Sequence, residues 1–191
     1  MRAALALAVI LIGGCGSSPP TRFYTLDAET SADAPGARLD APLKVDAVHV
    51  PPMLDRNEMV RGESHNELRI SAQDRWAADF GEMARRVLTE DLQSRLPAGA
   101  VIAPESPAPQ GARGLVVDIL TFQPQTAGML VLAADWTLLE GAPATPVLQR
   151  SVRLTAPAGA SAGSQAAAMS RLLAKLADNI AAQVAARHPG H

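Results

Sequence analysis

Only one cysteine stands among the 191 residues, Cys15, so the chain can form neither an internal disulfide nor a CxxC metal or redox site. Aromatic residues are scarce at 3%: three Phe, two Trp and one Tyr. Neither sign of charge dominates, since 17 basic against 19 acidic residues leave −2. A nucleic-acid binder needs a cationic surface to displace counterions and usually aromatic platforms for single strands, so that class is excluded. No apolar run approaches the roughly 20 residues of a spanning helix. There is no HExxH, no GxGxxG and no GxxxxGK[ST], so neither a zinc protease site nor a nucleotide-phosphate loop is encoded.

What is present begins at the N-terminus. Residues 1–15 read MRAALALAVILIGGC. Arg2 is a short positive region, Ala3 to Ile12 an apolar run, and Gly13-Gly14 the small residues before a cut, the three-part layout of an export signal. The string Ile12-Gly13-Gly14-Cys15 resembles a bacterial lipobox. That resemblance implies removal of residues 1–14 and acylation of Cys15, by a diacylglycerol thioether plus an amide-linked chain such as palmitate. One acyl chain holds a protein only marginally, while several make release negligible. Gly16 stands where an Asp marks inner-membrane retention in enteric systems, which points to the periplasmic face of the outer membrane. Residues 15–22 are then a lipidated cysteine and a short linker, too short to carry the folded part far from the bilayer. The mature chain carries 17 − 1 = 16 basic residues against 19 acidic, a charge of −3.

The rest, 23–188, reads as one domain of adequate size for a core. Hydrophobic residues make up 48%, but 37 of the 191 are Ala, so large core side chains are fewer than that suggests. Leu43 to Val50 alternates as a half-buried strand and Pro51-Pro52 stops it. Glu58–Arg61 and Glu67–Ser71 suggest a hairpin. Ser71-Ala72-Gln73-Asp74 has the form of a capping box, and Trp76, Phe80, Met83, Val87, Leu88, Leu92 and Leu96 recur at helical spacing behind it. A helix of about 23 residues is expected there. Gly114–Phe122, Met129–Leu139 and Val147–Thr155 predict an antiparallel meander. A second helix is expected from Ser164 to Arg187, with Met169, Leu172, Leu173, Leu176, Ile180 and Val184 as its buried stripe. The expected class is α+β: a single, mostly antiparallel sheet with two long helices packed on one face.

Candidate chemistry is thin, and no catalytic, cofactor or metal residue is assigned. The four histidines, His49, His65, His188 and His191, have no ligand spacing. Ser64-His65 is not set in the elbow sequence of a serine hydrolase. Glu90-Asp91 reads as a solvated helix face. Asp118 and Asp135 are unusual in apolar strands; they either face the open side of the sheet or mark a polar contact for a partner. The helix stripes are either core or the wall of a lipid groove.

Three stretches carry a resemblance. Phe23-Tyr24-Thr25-Leu26 follows the cysteine closely. Val48-His49-Val50-Pro51-Pro52-Met53-Leu54-Asp55-Arg56 runs on to Met59-Val60-Arg61. Arg75-Trp76-Ala77-Ala78 precedes Arg86-Val87-Leu88-Thr89-Glu90-Asp91-Leu92. In this order behind a lipobox they resemble the ABC-type transport auxiliary lipoprotein family (PqiC/YmbA-like), in which an aromatic residue is common at the place of Met53. The resemblance implies a non-catalytic, outer-membrane-anchored subunit of an MCE-type ABC lipid transport system that docks the periplasmic MCE protein, and it leaves room for a homo-oligomer. A physical reading goes with it: Met53 and Leu54 beside Asp55 and Arg56 form an apolar pair rimmed by charge, as a docking patch would. Leu54 buried, with Asp55-Arg56 in a turn, is the other reading of that loop. Two rival functions remain at this point: a lipoprotein cofactor of a cell-wall synthase, and another periplasmic enzyme or binding module.

Overall fold

The computed structural model describes residues 19–31, 39–64, 67–125 and 128–186. Cys15, the export signal, His65, His188 and His191 lie outside the described residues. Among the described residues, seven strands and two helices follow in the order β1 (Arg22–Tyr24), β2 (Leu43–His49), β3 (Glu58–Ser64), β4 (Glu67–Trp76), α1 (Phe80–Arg95), β5 (Arg113–Gln125), β6 (Met129–Glu140), β7 (Thr145–Pro157) and α2 (Ala162–Ala186).

The strands form two sheets, which corrects the expectation of one mostly antiparallel sheet. One has three strands in the order β1-β4-β3; the other has four in the order β2-β5-β6-β7. Each contains a parallel pair, β1 with β4 and β2 with β5. The meander β5-β6-β7 is antiparallel as its short connections require. The split has a local cause. Pro51 and Pro52 have no N–H to give to a ladder, so β2 cannot turn straight into a hairpin with β3. The chain instead makes the β3–β4 hairpin apart from β2, crosses through α1, and returns to lie parallel beside β2, as a crossover requires.

The capping-box expectation also needs correcting. Ser71 and Asp74 do bond each other, with the Asp74 N–H donating to Ser71 Oγ at 3.0 Å and Ser71 Oγ donating to Asp74 Oδ2 at 2.9 Å. They do so inside β4. Pairing passes from Glu58 opposite Arg75 to Val60 opposite Ile70, five steps along β4 against two along β3. The Ser-x-x-Asp pattern satisfies a bulged strand as well as a helix start. Helix α1 begins later and has 16 residues, with Asp79 capping the Glu82 N–H at 3.0 Å. Trp76 ends the strand and still stacks on Phe80, ring centroids 5.0 Å apart.

The core lies between the four-stranded sheet and the helices. Leu115, Val117 and Ile119 of β5 and Leu130, Leu132, Ala134, Trp136 and Leu138 of β6 are buried on alternate positions. Val87, Leu88 and Leu92 of α1 and Leu172, Leu173, Leu176 and Ile180 of α2 meet them in one cluster. Each such side chain contributes on the order of 1.5–3 kcal/mol. Gly114 leaves room for the exposed Asp46 carboxylate, which lies over it at a bulge of β2; an added Cβ would push that side chain aside.

Candidate docking site

The loop after β2 is folded by its own backbone. Pro51 O accepts from the Leu54 N–H at 2.8 Å and the Asp55 N–H at 3.2 Å, and the Trp76 N–H donates to Asn57 O at 2.7 Å. This turn sends Leu54 inward, 6% exposed, toward Val60, Trp76, Phe80 and Met169. Met53 stays out, 48% exposed. Asp55 and Arg56 are exposed as well. The outward face of the loop is thus Met53 with a charged fringe. Arg56 Nε donates to Glu58 Oε2 at 3.2 Å, and Arg75 lies 3.7 Å from the same carboxylate. The Arg56 hydrogen bond is the main reason the Glu58 carboxyl sits below the usual carboxylate range. Of the four residues singled out in sequence, three share this outer surface and Leu54 does not.

The segment that follows β1 is strapped down. Arg22 and Tyr24 both donate to the buried Asp74, at 2.8 and 3.3 Å. Leu26 is buried. Beyond it the N–H groups of Asp27, Glu29 and Ser31 donate to Ser170 Oγ, Asp91 Oδ1 and Ser94 Oγ, at 3.1, 2.8 and 3.4 Å. Arg95 closes the strap, donating to Glu29 O at 2.9 Å and to Asp178 of α2 at 2.5 Å. Asp91 is therefore buried, which corrects the solvated-face reading of Glu90-Asp91; Glu90 alone is exposed. Burial pushes the Asp91 carboxyl up to about 6, against the opposing pull of the Glu29 N–H and Arg95. Thr89 and Arg95 are buried too, although their positions read as polar. A signal was there: Leu88, Asp91, Leu92 and Arg95 follow the i, i+3, i+4, i+7 spacing of one helix face.

The remaining polar candidates lie on the open face of the four-stranded sheet. His49 Nδ1 is 2.7 Å from Asp118 Oδ1, both side chains exposed. Asp118 and Asp135 sit opposite each other on β5 and β6. Ser151 of β7 lies opposite Asp135 in turn, three strands from His49.

A Gly-x-Ser-x-Gly string does occur, at Gly159-Ala160-Ser161-Ala162-Gly163, where β7 turns into α2. Ser161 Oγ accepts from the Ser164 N–H at 3.1 Å and Ser161 O accepts from the Gln165 N–H at 3.0 Å. Ser161 is the cap of α2, and its hydroxyl bonds to Ser164 and not to a histidine. Among the described residues no three of His, Cys, Asp and Glu come together as a metal site would need. The cavity at the seam of Leu54, Val60, Trp76, Phe80 and Met169 holds about 10 Å³. A wetter hollow beside Lys44, Asp46, Arg113 and Gly114 holds about 160 Å³. Both are below the roughly 300 Å³ at which small-molecule sites begin. No helix among the described residues is long and apolar enough to cross a membrane.

The described residues form a small α+β body with a strapped N-terminal segment. The profile of the family described as the ABC-type transport auxiliary lipoprotein component matches residues 24–181, and the chain belongs to that family. Its fold is shared with the crystal structure of an uncharacterized protein, 20% identical, with a TM-score of 0.72 over 87% of this chain and 99% of the other. It is shared also with the crystal structure of a DUF330 protein from Xanthomonas campestris, 14% identical, with a TM-score of 0.70 over 86% of this chain and 95% of the other. A lipoprotein from Caulobacter crescentus is similar at 20% identity and a TM-score of 0.43, over 58% of this chain and 84% of that one. None of the curated proteins matches. Family membership makes the chain a lipoprotein that works with partners in a transport system.

Proposed function

We propose that the chain is a non-catalytic lipoprotein of the outer membrane that holds the periplasmic MCE component of an ABC-type lipid transporter in place. Residues 1–14 are the export signal, Cys15 to Arg22 the acylated tether, and residues 23–188 the docking domain. The observation that carries this reading is the family match over residues 24–181 directly behind a lipobox. The strap supports it. A tethered adaptor transmits load from its anchor to its body, and here residues 27–31 are bonded to both helices by side chains of Ser170, Asp91, Ser94 and Arg95. Met53 with Asp55 and Arg56 is the partner-facing patch.

The test is crosslinking in cells from a photoreactive residue at Met53, followed by mass spectrometry. Recovery of an MCE protein is the expected result. Recovery of a peptidoglycan synthase without any MCE protein would overturn the reading in favour of a cell-wall cofactor. Cys15→Ser should leave the chain unprocessed and without acyl mass.

A further inference from the structure

Strand β1 runs parallel to β4, with Arg22 opposite Asp74 and Tyr24 opposite Trp76. Followed backward from Tyr24 to Arg22, the chain heads toward the start of β4. The direction is imposed by the parallel register and held by Arg22 on Asp74, 2.7 Å. Cys15 precedes Pro19 by four residues, a contour of at most about 14 Å. An acyl-bearing residue on so short a lead brings the end of the sheet it points to up to the bilayer.

That end carries unusual side chains. Leu68 and Ile70, near the start of β4, are 41% and 49% exposed. Leu68 lies opposite Gly62 and Ile70 opposite Val60, so they sit on a paired strand and not on a loose loop. They are two of the five large apolar side chains exposed among the described residues. Apolar groups concentrated on an outlying strand pair are an aggregation hazard in water and are stabilised at a headgroup–acyl boundary.

We propose that the Leu68–Ile70 end of β4 lies in the interfacial layer of the membrane that holds Cys15, so that the protein has a fixed orientation on the bilayer and does not swing on its tether. The occupant of this surface is phospholipid. The proposal rests on the anchor reading above and adds a face to it.

The test uses the full-length processed protein reconstituted in vesicles of phosphatidylethanolamine and phosphatidylglycerol. Because Cys15 is the only cysteine and its sulfur is acylated, Leu68→Cys or Ile70→Cys introduces a single free thiol for an environment-sensitive fluorophore. Gln149→Cys is the control. It lies eight residues, about 26 Å of strand, from Pro157, the end of β7 that leads to α2, whose Gln165 donates to Val60 O. Phospholipid carrying a shallow nitroxide should quench the labels at 68 and 70 by roughly twofold or more and leave the label at 149 bright, as expected of groups buried 5–10 Å into the boundary.

Unquenched labels at 68 and 70, on protein that floats with the vesicles and shows acyl mass, would overturn the orientation and leave the anchor standing. A blue-shifted label without quenching would place a protein surface, a second copy or a partner, over this end and would equally overturn it. Equal quenching at 149 would show a protein lying without preferred face. A chain without acyl mass that stays out of the vesicle fraction would overturn the anchor and this inference together.

Discussion

Asp91 and Arg95 stand one turn apart on α1, both buried, with Arg95 Nη1 3.3 Å from Asp91 Oδ1, and between them they hold Glu29 of the N-terminal strap by its N–H and its carbonyl. One carboxylate oxygen of Asp91, Oδ2, has no hydrogen-bond partner. A charge so placed is only partly compensated, which is why the neutral acid is favoured.

The first prediction follows from that imbalance. Asp91 is raised to about 6 in the folded protein from an ordinary 3.8. A group whose folded value is raised binds protons more readily folded than unfolded, so its contribution improves as pH falls from about 7 toward 4. Asp91→Asn removes the titration and keeps an acceptor for the Glu29 N–H. Between pH 7.5 and pH 5 the stability of wild type relative to Asp91→Asn should move in favour of wild type by roughly 1–2 kcal/mol. Urea unfolding at a series of pH values measures this; a difference that does not change with pH contradicts the burial argument.

Arg95 and its two carboxylate partners separate a buried from an exposed pairing. Arg95→Met leaves Asp91 buried beside no cation and should cost about 3–5 kcal/mol. Asp178→Asn removes the half-exposed end of the same network and should cost about 1 kcal/mol or less. Equal losses from the two substitutions would mean that the strap is held by something other than Arg95.

The docking loop divides in the same way. Met53→Glu with Arg56→Glu changes exposed side chains and should alter stability by no more than about 0.5 kcal/mol while abolishing capture of the transport partner. Leu54→Ala empties a core position and should cost about 2–5 kcal/mol. If the double variant still captures its partner at wild-type level, the patch lies elsewhere on the surface.

Gly114 and Asp46 form a steric pair. Gly114→Ala should cost about 1 kcal/mol or less, because the Asp46 carboxylate that its methyl group meets is exposed and can swing aside. In an Asp46→Ser background most of that loss should vanish. A double-mutant cycle in urea reads the coupling, and additive losses would place the strain in the backbone of β5.

Much of the architecture could be read along the chain. The β5–β6–β7 meander and the buried stripe of α2 follow from alternation and helical spacing, which are local properties. The start of α1 could not, because Ser71-Ala72-Gln73-Asp74 makes the same short-range hydrogen bonds in a bulge as at a helix end, and pairing with β3 chose the bulge. The docking loop was half legible. Its composition marked Met53 to Arg56, but only the turn on Pro51 O decided that Leu54 points in and Met53 out.

By itself the sequence settled the lipobox-like N-terminus, the family resemblance and the α+β content, since each is written in neighbouring residues or in short repeats of spacing. Tertiary structure alone decided the division into two sheets, the parallel seating of β1 on β4, and the burial of Asp91. Those depend on partners 52 to 62 positions away, Arg22 with Asp74, Glu29 with Asp91, and no local periodicity records which distant strand or carboxylate a segment will meet.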